Sequence, residues 1–424
     1  MQAFSFYTFI SYSHPTYLFM MGGGERMEIT IRSGETLSFL SLLFKVPISL
    51  IEDSNPNISP NNLKLREKVK IPGYILIPYV IQDGDTLLDI AAAVDLHVDA
   101  LLLLNPSMES ERVKMGETIY VPERITTPFT TVKSACTYRS LVKTIHSLKK
   151  AYPFISVNII GKSVLGNSIH EIRIGRGKKK IHMNASFHAN EWITTMVLMS
   201  LVNNYLLSLT NGSTIRGEKI FHSYEEIELS IVPMVNPDGV DLVLNGPPRE
   251  LREDVIQMNE GSDEFVHWKA NIRGIDLNNQ FPANWDVCKR NKTPKSPAPR
   301  DFPGHSPLTE PEAIAMANLA KNSSFDYIIA LHTQGEEFYW GYEGLEPSVS
   351  EELAKEFERV SGYQAIRYVN SHAGYKDWFI QEFKRPGFTM ELGKGINPLP
   401  LSQFQKILKP SEAIFKAALS FSFL

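Results

Sequence analysis

Two kinds of hydrophobic pattern alternate along the second part of the chain, from residue 132 to residue 424. Short apolar runs such as KKIHMNASF and FDYIIALHTQG have the length of buried β-strands. Longer runs such as WITTMVLMSLVNNYLLSL have the length of amphipathic or buried helices. Because strands that alternate with helices are typical of a sheet covered on both faces, the pattern predicts one α/β domain over residues 132–424.

The first part of the chain contains two units that repeat with an offset of 50 residues. Gly34 matches Gly84, and an Asn-Pro pair recurs at the same offset. Each unit predicts a short strand, a G-[ED]-T turn that caps a helix, a second helix that ends before Asn-Pro, and a closing strand. Two β-α-α-β modules are therefore predicted, over residues 27–74 and 76–123.

The segment before the first module predicts no targeting function. It is apolar, but it lacks the basic region and the small-residue cleavage site of a signal peptide, and its apolar runs are too short to span a membrane. The letters GGGER before Met27 require a purine-rich codon run that resembles a bacterial ribosome-binding site. We therefore predict that residues 1–26 are a non-native extension and that Met27 is the natural start.

Composition and charge narrow the possible partners. The chain is 43% hydrophobic and 21% charged, which is ordinary for a globular protein, and its formal net charge is −4. This charge gives no electrostatic reason to expect nucleic acid or a membrane surface as a partner. The two cysteines, Cys136 and Cys288, are too few for a disulfide framework or a CxxC metal site.

Polar residues with useful chemistry follow the predicted strands of the large domain. His188 and Glu191 follow one strand, NPDG follows the next, His332 follows a third, and Glu391 ends a fourth. Ligands of open α/β sheets bind beyond the carboxyl ends of the strands. Each of these residues taken alone is more often a hydrogen-bonded part of the scaffold, but together they predict a single polar cleft.

A metal site is the chemistry that this combination favours. Catalytic zinc has three protein ligands and an open fourth position. His188 and Glu191, three residues apart, can share one face of a turn, and His332 would complete a set of two histidines and one glutamate. Glu391 is then a carboxylate without a metal to bind, which suits a general base.

Five motifs in order, HANEW, NPDG, NIRGIDLN, LHTQG and FTMELG, resemble those of the zinc carboxypeptidase family. The resemblance implies that His188, Glu191 and His332 hold one Zn²⁺ per chain. It implies that Glu391 acts as the base and then as the acid, and that Arg273 stabilises the oxyanion. The implied fold is a carboxypeptidase-like mixed sheet flanked by helices.

The same resemblance gives roles to further residues. Asp276 corresponds to a carboxylate that fixes the tautomer of the first ligand histidine. Tyr368 lies near the family's substrate-capping tyrosine, with Tyr375 as the competing candidate. Lys376 corresponds to the floor of a substrate pocket, where it would pair with a substrate carboxylate. The alternative for Lys376 is that it turns outward or neutralises Asp377.

The stretch DLNNQF departs from the family pattern. Digestive carboxypeptidases have DxNRN here, and its asparagine and arginine clamp the terminal carboxylate of the substrate. This chain keeps the asparagine as Asn278 and has Asn279 in place of the arginine. Because a neutral amide cannot supply the charged, bidentate grip of a guanidinium, strict C-terminal exopeptidase action is not expected.

The repeated modules resemble LysM modules, which implies binding of glycans that contain N-acetylglucosamine, such as peptidoglycan or chitin. The whole arrangement resembles cell-wall peptidases of sporulating bacilli that cut the bond between the γ-carboxyl of D-glutamate and diaminopimelate. The expected partners are therefore peptidoglycan or muropeptides. The expected location is the cytoplasm or the spore, and association with the cell wall is compatible with these partners.

Three alternatives to this function stay open at the level of the sequence. A metallocarboxypeptidase of broader peptide specificity is the nearest one. A catalytically inactive binding protein is disfavoured because all three expected ligands and Glu391 are present. An N-acyl amino acid deacylase would share a His-x-x-Glu pair, but it would lack the NPDG and RGIDLN stretches.

Overall fold

The structure of the protein is a computed structural model, and it describes residues 25–60, 63–108, 113–129, 134–212 and 221–421. These residues divide into two compact units. The first unit takes the described residues up to Phe129, together with Lys143–Ser156 and the described part of Asn203–Phe221. The second unit contains the other described residues. The predicted extension falls almost entirely on residues 1–24, which lie outside the described residues.

A single three-stranded antiparallel sheet forms the centre of the first unit, in the order β1 (Glu25–Thr30), β2 (Lys68–Val80) and β3 (Thr118–Arg124). The sequence predicted a closing strand for the first module and a separate opening strand for the second. The structure joins them in β2, which has 13 residues. Thr30 pairs with Lys68 at one end of β2 and Thr118 pairs with Val80 at the other end.

The helices of the first unit confirm the predicted β-α-α-β order. They are α1 (Leu37–Phe44), α2 (Ile48–Ser54), α3 (Leu87–Ala93) and α4 (Val98–Leu104). Thr36 caps α1 by accepting a hydrogen bond from Phe39 N at 3.1 Å, and Thr86 caps α3 in the same way from Asp89 N at 3.1 Å. The G-[ED]-T turns therefore start helices, as the repeat predicted.

The repeated asparagine fastens the second helix of each module to the sheet. Asn55 exchanges two hydrogen bonds with the backbone of Lys70, both at 2.9 Å. Asn105 makes the same pair with the backbone of Tyr120, at 2.8 and 2.7 Å. Both asparagines are buried, so each side chain replaces hydrogen bonds to water that folding removes.

Segments from later in the chain complete the first unit. Arg124 donates to Thr210 O at 2.8 Å, and Asn211 donates to Ile125 O at 2.9 Å. Gly73 has φ +81°, and a Cβ there would lie 2.8 Å from Thr210 Cβ. A glycine is therefore required at this position both for its backbone conformation and for the close approach.

The second unit is built on an eight-stranded mixed sheet in the order β10-β9-β11-β8-β6-β7-β5-β4. The central strands β11, β8, β6 and β7 are parallel, whereas β9 and β5 run antiparallel to their inner neighbours. The strands are β4 (Ser156–Lys162), β5 (Ser168–Ile174), β6 (Lys179–Ala185), β7 (Ile227–Val232), β8 (Tyr327–His332), β9 (Glu337–Tyr339), β10 (Gln364–Ile366) and β11 (Gly387–Glu391). This sheet confirms the predicted mixed α/β fold.

The helices from Tyr138 onward alternate with these strands. They are α5 (Tyr138–Ala151), α6 (Ile193–Asn211), α7 (Phe221–Glu226), α8 (Pro237–Asn245), α9 (Arg252–Met258), α10 (Trp285–Asn291), α11 (Pro311–Ser323), α12 (Val349–Ser361), α13 (Tyr375–Phe383) and α14 (Phe404–Ser420). The segment Ala189–Asn211 is long and apolar enough to cross a membrane, but 94% of its most apolar window is buried inside the protein, as in a core helix.

Candidate metal centre

His188 and Glu191 lie on a short turn that follows β6. The strand ends at Ala185, His188 keeps an extended backbone, and a 3₁₀ turn over Ala189–Glu191 brings the two side chains together. His188 Nδ1 lies 2.9 Å from Glu191 Oε1. His188 and Glu191, three residues apart, therefore share one face of the turn, as the sequence predicted.

His332 reaches the same point from the neighbouring parallel strand. It is the last residue of β8, and Leu331 pairs with Ala185 of β6. Its Nδ1 lies 3.2 Å from His188 Nδ1 and 3.1 Å from Glu191 Oε2. One ligand atom from each of these three buried side chains lies within 4.8 Å of the other two, so the group could hold a metal ion.

The electrostatics of this group favour a bound cation. Burial opposes protonation of His188, but Glu191 and Asp276 raise its pKa to about 9. Two imidazole nitrogens and a carboxylate that converge at hydrogen-bond distance are also the donor set that zinc prefers. The residues present therefore fit a divalent metal ion, which would occupy the place of the ring proton.

Backbone and side-chain donors hold Glu191 in place. Thr333 N donates to Glu191 Oε2 at 3.1 Å, and Asn397 Nδ2 lies 3.4 Å from Glu191 Oε1. Thr333 Oγ1 also donates to Asn397 Oδ1 at 2.7 Å. Neither Thr333 nor Asn397 belongs to a motif with a recognisable spacing, so the sequence predicted no role for them.

Asp276 supports His188 from the other side of the ring. It precedes the 3₁₀ turn Leu277–Asn279, and its Oδ1 lies 3.3 Å from His188 Nε2. Although burial alone would raise the pKa of Asp276, the adjacent His188 holds it well below its usual range. Asp276 is therefore an ionised acceptor that orients the ring, in agreement with the predicted contact.

We expect Asp276→Asn to weaken metal affinity or activity by about 10–100-fold, the usual effect of removing such a partner from a ligand histidine. The amide removes the charge that orients the ring and leaves the size of the side chain nearly unchanged. Metal affinity is measured by competition with a chelator. Asp301→Asn is the control, because Asp301 pairs with Lys292 and not with His188. An unchanged affinity in Asp276→Asn would contradict the contact.

Glu391 ends β11 beside His332 in the parallel register and opposite Glu337 of β9. Its side chain is half-buried at the carboxyl end of the central strands. Burial, followed by the charge of Glu191, raises the pKa of Glu391 to about 8. A carboxyl group with a raised pKa can both accept and return a proton near neutral pH.

Lys269 is a further residue of this region for which the sequence predicted no role. Its Nζ lies 3.5 Å from Glu191 Oε1, and its side chain is 19% exposed. Burial opposes its charge, but Glu191 and Asp276 raise its pKa above the usual value. Lys269 lies two residues before the motif NIRGIDLN, so the motif itself contains Arg273 and not Lys269. The resemblance therefore assigned a role to Arg273 and none to Lys269.

The structure places Arg273 beside Glu310, and the oxyanion role predicted for it stays a prediction. Its side chain is 54% exposed, and its Nη1 lies 3.5 Å from Glu310 Oε2. The physical reason is a tight turn at Asn271, whose Oδ1 accepts hydrogen bonds from Arg273 N and Ile275 N. This turn directs Arg273 to Glu310.

Asn278 and Asn279 lie next to Asp276, on the turn predicted to face the substrate. Asn278 Oδ1 accepts a hydrogen bond from Tyr375 N at 3.0 Å. Cys288 Sγ lies 3.6 Å from Asn279 Oδ1. The amides therefore join this turn to α13 and α10, and their substrate roles stay predictions.

The two candidate tyrosines have different surroundings. Tyr375 is fully buried among Phe187, Phe281 and Trp378, with ring centroids 5.1 to 6.1 Å away, so it belongs to the core. Tyr368 is 52% exposed, and its hydroxyl donates to Glu346 at 3.0 Å. Of the two, Tyr368 is the one that a substrate can reach, and its capping role stays a prediction.

Lys376 is buried and already paired. Its Nζ lies 2.6 Å from Asp377 Oδ1 and donates to Gly341 O at 2.8 Å. Asp377 Oδ2 in turn accepts a hydrogen bond from Gly374 N at 3.3 Å, at the start of α13. These contacts support the interpretation in which Lys376 neutralises Asp377, and they give no separate support to a pairing with substrate.

We expect Lys376→Met to lower the free energy of unfolding by about 3–5 kcal/mol, because it leaves the buried Asp377 charge without its partner. The change is measured by urea denaturation. The double variant Lys376→Met/Asp377→Asn is the control, and it should lose clearly less, since neither charge remains. Equal losses in the single and double variants would show that the ion pair does not carry the effect.

A mixed sheet whose strand ends carry two histidines and a glutamate defines an α/β metalloenzyme. The chain matches the zinc carboxypeptidase model over residues 141–412 and the LysM domain model twice, over residues 29–72 and 79–122. The chain therefore belongs to the zinc carboxypeptidase family and is a metallopeptidase that carries two LysM domains.

Individual relatives agree with this family. Over 395 residues the chain is 50% identical to the gamma-D-glutamyl-L-diamino acid endopeptidase 1 of Lysinibacillus sphaericus, covering 93% of this chain and 100% of the relative. Carboxypeptidase B of Bos taurus is 23% identical over 290 residues, 63% of this chain and 65% of the relative. The structure of thrombin activatable fibrinolysis inhibitor has the same fold, with a TM-score of 0.54 at 18% identity over 68% of this chain and 77% of that one.

Proposed function

We propose that this protein is a zinc peptidase that hydrolyses the bond between D-glutamate and diaminopimelate in the stem peptides of peptidoglycan. The observation that carries the proposal is the 50% identity with a gamma-D-glutamyl-L-diamino acid endopeptidase along the whole of that relative. The two LysM domains support it, because a module that binds glycan raises the local concentration of stem peptides at the peptidase domain.

We propose that His188, Glu191 and His332 hold one Zn²⁺ per chain. The convergence of their ligand atoms and the membership in a zinc-dependent family support this assignment. When bound, zinc polarises the scissile carbonyl and lowers the pKa of water. Asp276 keeps the His188 ring in the orientation that its 3.3 Å contact defines, and Thr333 and Asn397 do the same for Glu191.

Glu391 is proposed as the group that moves the proton. It takes a proton from water as the water oxygen forms a bond with the scissile carbonyl carbon, and the π electrons of the carbonyl move to its oxygen. The proton then passes from Glu391 to the leaving nitrogen as the C–N bond breaks. The products are a free γ-carboxyl group on D-glutamate and a free amine on diaminopimelate. The raised pKa of Glu391 suits both transfers.

The amides Asn278 and Asn279 favour action on a bond that need not lie next to the terminal carboxylate. Asn279 carries no charge, and Asn278 uses its oxygen to hold α13. The broader metallocarboxypeptidase alternative would need a cationic clamp for the terminal carboxylate. The expected location in the cytoplasm or the spore stays a prediction from the sequence.

We expect the enzyme to cleave a stem peptide with an amidated C-terminus at nearly the rate of the free acid. The reason is that a neutral amide at Asn279 forms no ion pair with the terminal carboxylate. The rates are measured by liquid chromatography of the two peptides under identical conditions. A loss of about 2 kcal/mol or more in kcat/KM on amidation would indicate a charge-assisted clamp and favour the carboxypeptidase alternative.

A further inference from the structure

We propose that Arg367 and Glu343 bind the second amino-acid centre of diaminopimelate, the one that takes no part in the scissile bond. The inference rests on the proposed function, because it concerns the substrate of the same peptidase. The first centre of diaminopimelate supplies the nitrogen of the scissile bond. The second centre lies three methylene groups away and keeps a free ammonium and a free carboxylate. A site that selects this residue over lysine therefore needs a cation and an anion close together.

Arg367 is held in a fixed orientation. It follows β10, and its Nε donates to Glu346 Oε1 at 2.9 Å. Its guanidinium carbon lies 5.3 Å from the ring centroid of Trp340 and 5.0 Å from that of Tyr368. The side chain of Glu346 is buried. A buried carboxylate and two aromatic rings therefore orient the guanidinium before a ligand binds, which lowers the entropy that binding costs.

The outer end of the guanidinium is available to a ligand. The side chain of Arg367 is 51% exposed, and its contact with Glu346 uses Nε. Among the residues that the structure describes, neither terminal nitrogen of Arg367 forms a hydrogen bond. A carboxylate can therefore bind both terminal nitrogens at once, in the bidentate geometry that a guanidinium favours.

Glu346 does not cancel the positive charge of Arg367 by itself, because it serves two other donors. Its Oε2 accepts a hydrogen bond from Tyr342 N at 2.9 Å, and its Oε1 accepts one from the Tyr368 hydroxyl at 3.0 Å. Burial alone would raise the pKa of Glu346, but Tyr342 N and Arg367 are among the donors that hold it below its usual value. Glu346 is therefore an ionised carboxylate shared by three donors.

Glu343 supplies a negative charge on the same side of the fold. Its side chain is 51% exposed, and its Oε1 lies 3.9 Å from His372 Nδ1. The next residue is Gly344, where a Cβ would lie 3.9 Å from the Tyr368 hydroxyl. Loss of solvent contact and Glu346 raise the pKa of Tyr368, Glu343 adds to the rise, and Arg367 lowers it. The charges of Glu343 and Arg367 therefore both act on the Tyr368 ring.

This group of residues lies within reach of the metal centre. Glu337 at the start of β9 pairs with Glu391 at the end of β11. Gly341 follows four residues later, which corresponds to at most about 13 Å of extended chain. Gly341 N donates to Arg367 O at 2.8 Å. A diaminopimelate residue whose scissile nitrogen lies beside Glu391 can therefore extend its second centre towards Arg367.

A purely structural role for Arg367 has different consequences. If the guanidinium only neutralised the buried Glu346, its removal would lower the stability of the protein and the activity on all stem peptides alike. If it binds the second carboxylate, its removal lowers activity on peptides that carry this carboxylate more than on peptides that lack it. Comparison of substrates therefore separates the two roles.

The first part of the test compares four tripeptides with the full-length, zinc-loaded protein. All begin with L-alanyl-γ-D-glutamate, and they end in diaminopimelate, in diaminopimelate with an amidated second carboxylate, in lysine, or in 2-aminopimelate, which lacks the second ammonium. We expect kcat/KM for the first peptide to exceed that for each of the others by about 10–100-fold, because each loses a charge-assisted interaction. Equal values for all four would overturn the proposal.

The second part repeats these measurements on variants. Arg367→Gln should reduce the preference for diaminopimelate over its amide to about one, and Glu343→Gln should do the same for the preference over 2-aminopimelate. Arg359→Gln is the matched control, because Arg359 also pairs with a glutamate, Glu356, but on α12. It should keep both preferences. An unchanged preference in Arg367→Gln, or losses from substitution and amidation that add, would overturn the proposal.

Two further arms keep the proposal open to refutation. Glu343→Gln changes a half-exposed residue and leaves the pair of Arg367 and Glu346 in place, so it tests the site even if Arg367→Gln does not fold. The other arm measures the affinity of free diaminopimelate and of lysine by calorimetry, without turnover. An intact γ-glutamyl bond with tighter binding of diaminopimelate than of lysine would sink the proposed function and keep this site. Equal affinities in the wild type would overturn the site itself.

Discussion

Glu391→Gln is expected to lower kcat by about 10²–10⁴-fold while zinc stays bound. Glu391 ends β11 next to His332, and it does not belong to the group of three side chains that could hold the metal. Glutamine has nearly the same shape as glutamate, but it cannot take a proton from water. The variant therefore removes the base and keeps the site.

The experiment measures kcat on a stem peptide and the zinc content of the same preparation. Glu337→Gln is the matched control, because Glu337 lies opposite Glu391 on β9 and accepts a hydrogen bond from Tyr339 at 2.6 Å. We expect that control to retain most of the activity. Wild-type turnover in Glu391→Gln would remove Glu391 from the mechanism, and loss of zinc would show that it is a ligand instead.

His188→Ala and His332→Ala are each expected to lose the metal and, with it, the activity. His188 follows β6 and His332 ends the neighbouring β8, and each supplies one ligand atom to the group of three that could hold the metal. Because removal of an outer partner of a ligand costs about 10–100-fold, removal of a ligand itself should exceed that range.

Zinc is quantified after dialysis against metal-free buffer, together with an unfolding curve for each variant. His146→Ala is the control, since His146 is an exposed residue of α5. It should bind as much zinc as the wild type. Stoichiometric zinc in His188→Ala or His332→Ala would contradict the assignment of that residue as a ligand.

The metal centre could be predicted because it depends on strand ends. Parallel neighbouring strands end at one edge of a sheet, so the residues that follow β6 and β8 must lie close together. The pair His188 and Glu191 needed only a short turn, and His332 needed only the register in which Leu331 pairs with Ala185. The repeat could also be predicted, because the Asn-Pro pair recurs in both units and its asparagine makes the same contact in each of them.

The surroundings of the centre could not be predicted in the same way. A motif fixes the order of its residues but not the direction of their side chains, and the turn at Asn271 determines the direction of Arg273. Asn397 reaches Glu191 from a loop 206 residues away in the sequence, and no spacing rule connects the two. The fusion of two predicted strands into β2 also went unrecognised, because the repeat predicted strands of its own for each unit.

Mass spectrometry of one reaction tests whether the protein hydrolyses the bond between D-glutamate and diaminopimelate. A disaccharide peptide that ends in L-alanyl-γ-D-glutamyl-diaminopimelate is incubated with the full-length zinc-loaded protein in water enriched in oxygen-18. We expect a glycan fragment that ends in D-glutamate and carries one heavy oxygen in its γ-carboxyl group, together with unlabelled free diaminopimelate. An intact γ-glutamyl bond, with hydrolysis elsewhere in the peptide or none at all, would contradict it.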